Sequence, residues 1–350
     1  MPDRWNGRRV LITGGMGFLG SSLAHDLASR GAIVSIVDRR DPAAPDVQSR
    51  LSGLPGSVEV RRFDLCDPVR TTEAVRRQDV VYCLSGQVSH VSSMHDPAAD
   101  LTGNCLATLT TLEACRRQNP LARIVYASTR QVYGRVTEIP VSEEVAVCPV
   151  DVNGIHKRAA EEYLRLYAGQ FGLRSAALRL TNCYGPRMDV RHKDRGFAGV
   201  LIGRALRGEP LTIYGTGEQV RDFNYVDDVV AALRLAADLD DLSGGVWNLG
   251  DPWPCTVREF IEALRKVLPA TLGQAPFPDD LRKIEIGNYA GDYTKFHNAT
   301  GWSPEVTLDD GLRRTAAYFR SHRAEFLIET DDAPDAAIES VVVGTGRERA

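Results

Sequence analysis

The chain has no CxxC pair, no apolar run of membrane-spanning length and no large excess of charge of either sign. Each absence removes a class of protein. The seven cysteines (66, 83, 105, 115, 148, 183 and 255) are odd in number and scattered. That pattern argues against a disulfide framework and a zinc site and fits a reducing compartment, so no metal is expected. A formal net charge of −4 sets up no field toward nucleic acid or an anionic membrane, so local basic groups must hold any anion. The start, "MPDRWNGRRVLITGG", passes straight into a strand pattern with no signal peptide. No stretch approaches the roughly 20 apolar residues that cross a bilayer. A cytoplasmic protein without nucleic-acid or membrane partners is expected. The 350 residues, 43% hydrophobic and 25% charged, suffice for one large or two modest domains.

What is present is alternation. "RRVLIT" (8–13), "AIVSIVD" (32–38), "VEVRRFD" (58–64), "DVVYCLS" (79–85) and "ARIVYAS" (122–128) read as buried strands. Between them, 20–31, 67–77 and 100–118 carry apolar residues at helical spacing, and a sixth unit follows as helix 153–172 and strand 174–180. Such order predicts right-handed βαβ units, a parallel sheet covered on both faces and an α/β fold. Beyond residue 180 the loops lengthen and fill with Gly, Pro and charge. Residues 1–180 are expected to form the nucleotide-binding domain, with segments near 218–248 returning to it. Residues 181–327 are expected to form mainly a substrate lobe, and the acidic, aperiodic 328–350 a disordered tail.

"TGGMGFLG" sets Gly14, Gly17 and Gly20 at the junction of first strand and first helix. The first glycine permits a tight turn, the second a close pyrophosphate and the third close helix–strand packing. Strand, loop, helix and a second strand ending in Asp38 fall in the order of a Rossmann-type, doubly wound sheet binding a dinucleotide. Asp38 would accept from the ribose diol and repel a 2′-phosphate, which selects NAD. Arg39 and Arg40 beside it are of the kind that welcomes that phosphate. Asp64 suits equally an adenine-edge contact and an N-cap for the helix beginning near Asp67.

Together, "TGGMGFLG", "DL" (64–65), "LSGQVSH" (84–90), "ASTRQVYG" (127–134), "NGIHK" (153–157), "RLTNCYGPR" (179–187), "YGTGEQVRDFNYVDDV" (214–229) and "WNLGD" (247–251) resemble the extended short-chain dehydrogenase/reductase family. The resemblance is to its nucleotide-sugar epimerases and dehydratases and runs over roughly residues 8–320. It implies a Rossmann domain with a smaller C-terminal substrate-binding lobe, an NAD cofactor, a nucleotide-diphosphate sugar and a homodimer built on helices 100–118 and 153–170. At the cofactor it implies Gly14, Gly17, Phe18, Leu19, Gly20, Asp38, Arg39, Asp64, Leu65, Leu84, Gln87 and Lys157. At the sugar nucleotide it implies His90, Thr129, Arg130, Asn182, Arg187 and Arg221.

By the same resemblance a Ser or Thr, a Tyr and a Lys manage the proton. Thr129 and Lys157 match, but Asn153 stands in the Tyr slot, and a carboxamide does not titrate near neutrality. Three accounts follow. Asn153 only orients substrate while Thr129, His90, His156, Tyr184 or Cys183 takes the proton; the protein binds without turning over; or the reaction is not ordinary 4-oxidation. His156 lies about 100° round the helix from the Asn153–Lys157 face, which disfavours it. Arg130 and Gln131 occupy the positions where sugar 4,6-dehydratases carry an acidic pair, which disfavours dehydration. Arg130 suits either a sugar carboxylate or a structural salt bridge. An epimerase, at C4 or at C2 as in the CDP-sugar 2-epimerases, needs least. Trp302 in "TGWSP" reads as core.

Overall fold

A computed structural model describes residues 3–55, 57–192 and 196–327. The tail expected at 328–350 lies outside the described residues, as do the last three positions of "RHKDR" (191–195), a basic run that offers further options for the diphosphate.

Seven parallel strands form the central sheet. They are β1 (Arg9–Thr13), β2 (Ile33–Asp38), β3 (Glu59–Arg62), β4 (Val80–Cys83), β5 (Arg123–Thr129), β6 (Arg174–Leu180) and a last strand, Ser243–Asn248. Their spatial order is last strand, β6, β5, β4, β1, β2, β3. The order reverses between β1 and β4, where the register pairs Val10 with both Val34 and Val80. A reversal of this kind opens a crevice at the carboxyl ends of the strands.

The β-branched runs sit where they do because both faces of the sheet are covered. Successive residues serve opposite cores: Val10 and Ile12 pack on one side, Leu11 on the other. The first side is filled from helix Phe18–Ser29 by Leu23 and Leu27 and from helix Val226–Ala236 by Val229 and Leu233. The second is filled by Leu112 of helix Ala107–Gln118 and Leu164 of helix Val152–Phe171. Both leucines are wholly buried, and such a side chain contributes roughly 1.5–3 kcal/mol.

Three expectations need correction. The third strand is not buried: it is the sheet's edge, bonded to β2 alone, and its residues are largely exposed. The helix expected over 100–118 is broken into Pro97–Asp100, a π-helical turn Leu101–Leu106 and the regular helix Ala107–Gln118. His90, expected on the loop after the fourth strand, instead opens a short helix, His90–His95, whose cap is Ser89 accepting from Ser92 N–H at 3.0 Å.

The long helix Val152–Phe171 has clear local causes. Asp151 caps its start by accepting from Gly154 N–H at 2.7 Å, and Gly172, at φ 71°, ends it. Beyond β6, Asn182–Tyr184 pairs with Phe223–Tyr225, Leu211–Tyr214 with Leu272–Ala275, and Val220–Arg221 with Cys255–Thr256. The first of these small sheets follows directly on β6. Trp302 is core, 3% exposed, its indole N–H donating to Asp228 O.

Candidate active site

At the end of β1, Gly14 has φ 67°, and a Cβ there would lie 2.8 Å from the Ser85 backbone. Thr13 ties this turn to β4, its Oγ1 accepting from Leu84 N–H at 3.2 Å and Ser85 N–H at 3.3 Å. A Cβ on Gly20 would sit 2.3 Å from Gly14 O, so the helix starts hard against the loop. Gly17 occupies the cap position with no side-chain cap, which leaves the first-turn N–H groups of Phe18, Leu19 and Gly20 without a side-chain acceptor. Open amides at a helix N-terminus suit an anionic pyrophosphate.

The Asp38 carboxylate, at the end of β2, braces this loop by accepting from Met16 N–H and Arg40 N–H, both at 3.1 Å. Each carboxylate oxygen keeps a further lone pair for a ribose hydroxyl. Arg40 donates to Met16 O at 3.3 Å, whereas Arg39 is exposed. Asp64 accepts from Cys66 N–H at 2.9 Å, and the cap of the following helix is Asp67, not Asp64. Leu65 is buried beneath that turn, and Thr71 donates to its carbonyl. Loop, carboxylate and open helix end therefore fit a dinucleotide.

The chemistry-bearing groups meet where helix Val152–Phe171 crosses β5. Lys157 is buried, its Nζ donating to Ala127 O at 2.9 Å and lying 4.9 Å from the Tyr126 ring centre. Burial pushes its ammonium down to about 8, opposed by the Asp100 charge. Thr129, two residues beyond Ala127, ends the strand, its Oγ1 accepting from Gln131 N–H at 3.2 Å. One turn below Lys157, buried Glu161 accepts from Ser128 at 2.6 Å and from Arg179 at 2.9 and 2.7 Å. That pair joins the helix to β5 and β6. Removing one partner of such a buried pair costs about 3–5 kcal/mol.

Asn153 is 2% exposed and its amide is fixed. Nδ2 donates to Gln87 O at 2.9 Å and to Asp100 Oδ2 at 3.1 Å. A carbonyl and a carboxylate only accept, so the NH2 must face them and Oδ1 must face the other way. No described residue donates to that Oδ1. Asp100, wholly buried, also holds His156 Nδ1 at 2.7 Å. Asp100 carries no separate mark in the sequence, because it falls inside a helical apolar pattern. The π-helical turn that follows it carries Asn104, which donates to the same Gln87 O at 3.1 Å. Turns of this kind recur at functional sites.

His90 Nδ1 lies 3.0 Å from Asp151 Oδ2, out of line for a hydrogen bond, with a third of the side chain exposed. The same Asp151 oxygen accepts from Gln131 Nε2 at 2.7 Å, so Gln131 is turned away from Thr129 to support the helix cap. Tyr184 and Cys183 do not belong to this cluster. Tyr184 is wholly buried among Phe223, Tyr225 and Phe260, and burial pushes both its phenol and the Cys183 thiol far up.

On the lobe side, Asn182 accepts from Arg130 Nη2 at 2.9 Å and donates to Asp222 O at 3.0 Å. Arg221 is already engaged, with Glu285 and the Gly287 carbonyl. Asp222 braces the lobe by accepting from Gly291 N–H at 2.8 Å and does not orient Arg221. Arg187 stands apart, against Tyr318, its carbonyl accepting from Arg50. Arg130, Asn182 and Arg221 are thus brought together, and Arg187 is not.

Comparison with known proteins bears on the fold, the family and the cofactor. Across the chain, similarity extends to UDP-glucuronic acid decarboxylase 1 of Xenopus tropicalis, at 32% identity over 89% of this chain and 72% of that one. It extends also to UDP-glucose 4-epimerase of Mycolicibacterium smegmatis, at 30% over 89% and 99%, and to CDP-paratose 2-epimerase of Salmonella typhi, at 29% over 87% and 97%. Among solved structures, UDP-glucose 4-epimerase of Thermotoga maritima with UDP-glucose superposes with a TM-score of 0.81 at 30% identity, covering 89% of this chain and 99% of that one. The Thermus thermophilus UDP-glucose 4-epimerase complex with NAD gives 0.78 at 33%, with the same coverage. The NAD cofactor inferred from the glycine loop and Asp38 is thus the family's own. The model of the NAD dependent epimerase/dehydratase family matches residues 10–250, and the chain belongs to that family.

Proposed function

We propose that the protein epimerises a nucleotide-diphosphate sugar, at C4, by transient oxidation and re-reduction. The observation that carries the reading is the buried Lys157 ammonium held on Ala127 O, two residues from Thr129 on the same strand. It sets a positive charge beside the hydroxyl that would hold the sugar. Gly14, Gly17, Gly20, Phe18, Leu19, Asp38 and Lys157 would hold NAD, with Leu84, Gln87, Asp64 and Leu65 around it. Bound there, NAD would supply the redox chemistry, as acceptor and donor of a hydride.

The chain's own groups manage orientation and the proton. Thr129 Oγ1 and Asn153 Oδ1 position the sugar hydroxyl, the latter as an acceptor fixed by Asp100 and Gln87. Of the groups able to replace a phenol, Tyr184 is sealed in core, the Cys183 thiol is pushed far up by burial, and His156 is bound to the wholly buried Asp100. We assign proton exchange to His90, whose Nδ1 rests beside Asp151 while the ring remains partly exposed. Asn182 and Arg221 would take the diphosphate, Arg221 by exchanging Glu285 for it.

The test is incubation of the NAD-loaded protein with UDP-, dTDP-, CDP-, GDP- and ADP-linked hexoses and with UDP-glucuronic acid, with products followed by NMR. Inversion at C4 is expected; no turnover across the panel would refute the reading. Inversion at C2 would favour the second reading, which the CDP-paratose 2-epimerase similarity supports. Loss of conversion in Lys157→Ala with the fold intact would exclude a binding-only role.

Two further readings belong here. A homodimer is supported by Leu101, Ile155 and Leu166, 47%, 52% and 47% exposed along the two helical segments named for it. Light scattering should return twice the 38.4 kDa chain mass. A cytoplasmic location is supported by seven unpaired thiols, as a reducing compartment maintains them.

A further inference from the structure

Asp151 opens the helix that carries Asn153 and Lys157, yet it has more partners than a cap needs. Its side chain is wholly buried. Oδ1 accepts from Gly154 N–H at 2.7 Å, which is all that capping requires. Oδ2 accepts from Gln131 Nε2 at 2.7 Å and stands 3.0 Å from His90 Nδ1. Burial opposes the charge, but His90, Gly154 and Gln131 together outweigh it and hold the carboxyl below its ordinary value. Asp151 is therefore ionised and only accepts.

These neighbours reach the rest of the site. Gln131 N–H donates to Thr129 Oγ1 at 3.2 Å, and the Gln131 amide also donates to Ile284 O at 3.2 Å. Ser93, one turn beyond His90 on the same short helix, accepts from Asn153 N–H at 3.2 Å. His90 is thereby linked to Thr129 through Asp151 and Gln131, and to Asn153 through Ser93. Its Nδ1 is buried while a third of the side chain is exposed, so the open edge of the ring is the one bearing Nε2.

We propose that Asp151 is a positioning residue: it holds the proton of neutral His90 on Nδ1 and so leaves the Nε2 lone pair free for the proton of the sugar hydroxyl. A carboxylate only accepts, so the imidazole nitrogen beside it is the one that carries hydrogen. A small turn of the partly exposed ring brings that N–H into line. As the hydroxyl-bearing carbon gives up its hydride to the cofactor, the hydroxyl proton passes to Nε2. The imidazolium so formed is stabilised by Asp151, and on re-reduction the proton returns to the sugar oxygen.

This role rests on the nucleotide-sugar reading above and on His90 as its proton acceptor, and the test separates them. Asp151→Asn is compared with the parent, both NAD-loaded. Asparagine caps a helix as well as aspartate does, so thermal unfolding should change little. The Gly154 N–H cannot turn, so the amide oxygen stays on it and the NH2 takes the place of Oδ2. There it donates to Nδ1 and forces the His90 proton onto Nε2. Nitrogen-15 NMR of histidine-labelled protein, with His90 identified by its loss in His90→Gln, should show Nδ1–H in the parent and Nε2–H in the variant. With the sugar nucleotide that the panel identifies, kcat should fall about 100- to 10,000-fold while KM holds, as expected for a base in the wrong tautomer. Asp151→Ser, a cap too short to reach His90, should give mixed tautomers and a smaller loss, and it stands in if the asparagine variant misfolds. An unchanged tautomer in both variants, or a kcat equal to the parent's, would overturn the proposal. A parent that converts no sugar nucleotide fails the reading of function. The spectrum then decides Asp151 alone: a tautomer switch supports its role and no switch overturns it.

Discussion

Lys157 is held in place against its own solvation, and Lys157→Met should show it. The ammonium's ordinary value of 10.5 falls to about 8 in the fold, chiefly by burial. At 1.36 kcal/mol per unit, the folded state carries a penalty of about 3 kcal/mol wherever both states are protonated. Between pH 8 and 10.5 the unfolded chain binds the proton and the folded chain does not, so stability rises with pH across that window. Below pH 8 the whole penalty applies. Methionine fills similar space without charge but leaves Ala127 O unpaired, at roughly 1–3 kcal/mol. The variant should therefore match or modestly exceed the parent in stability at pH 7 while losing turnover. The decisive quantity is the difference between the two proteins in urea unfolding free energy, cofactor-free, at pH 7 and pH 10. The parent should gain about 3 kcal/mol on the variant across that interval, all other titrations being shared. A difference that does not change with pH would refute the burial argument.

Other outcomes follow from the same site. Turnover should fall above pH 8, as Lys157 loses the charge that supports the sugar hydroxyl; a plateau to pH 10 in the pH–rate profile would contradict this. Asp100→Ala deprives Asn153 Nδ2 of one acceptor and leaves His156 unpaired, so kcat should fall about tenfold with little change in cofactor affinity. Gly86→Ala would place a Cβ 2.2 Å from Asn104 Oδ1 and 3.3 Å from Lys157 Nζ, and should lower thermal stability by about 1–3 kcal/mol in calorimetry. Asn153→Tyr should not raise 4-epimerase turnover if His90 carries the proton; a strong rise would refute that assignment.

The sheet was legible because buried parallel strands are written as β-branched runs, and six of them appear in the right order. The edge strand misled, since "VEVRRFD" looks like an inner strand while only one neighbour bonds it. The π-helical turn at Leu101–Leu106 was invisible, because one extra residue per turn leaves the apolar spacing nearly intact over so short a span. Glycines and Asp38 announced the cofactor loop through their spacing. Residues that act through others left no such mark. Asp100 fixes Asn153, and Gln131 serves Asp151 from 20 positions away. His156 seemed off the face, yet it shares a buried carboxylate with Asn153, three residues earlier and so its neighbour on the helix. Arg130 could be read two ways from sequence, and its unpartnered Nε is a fact of three-dimensional packing alone.

The fixed amide at Asn153 also shows what a single substitution would undo. Its NH2 supplies two donors at once, to Gln87 O and to Asp100 Oδ2, and a phenol brings one hydroxyl where two donors stand. Gln87 O would keep Asn104 and Asp100 Oδ1 would keep His156, so the cost of a tyrosine falls on Asp100 Oδ2 and on the room its ring requires. The amide is thus a clasp between the helix, the Gln87 loop and the Asp100 turn as much as a contact for substrate.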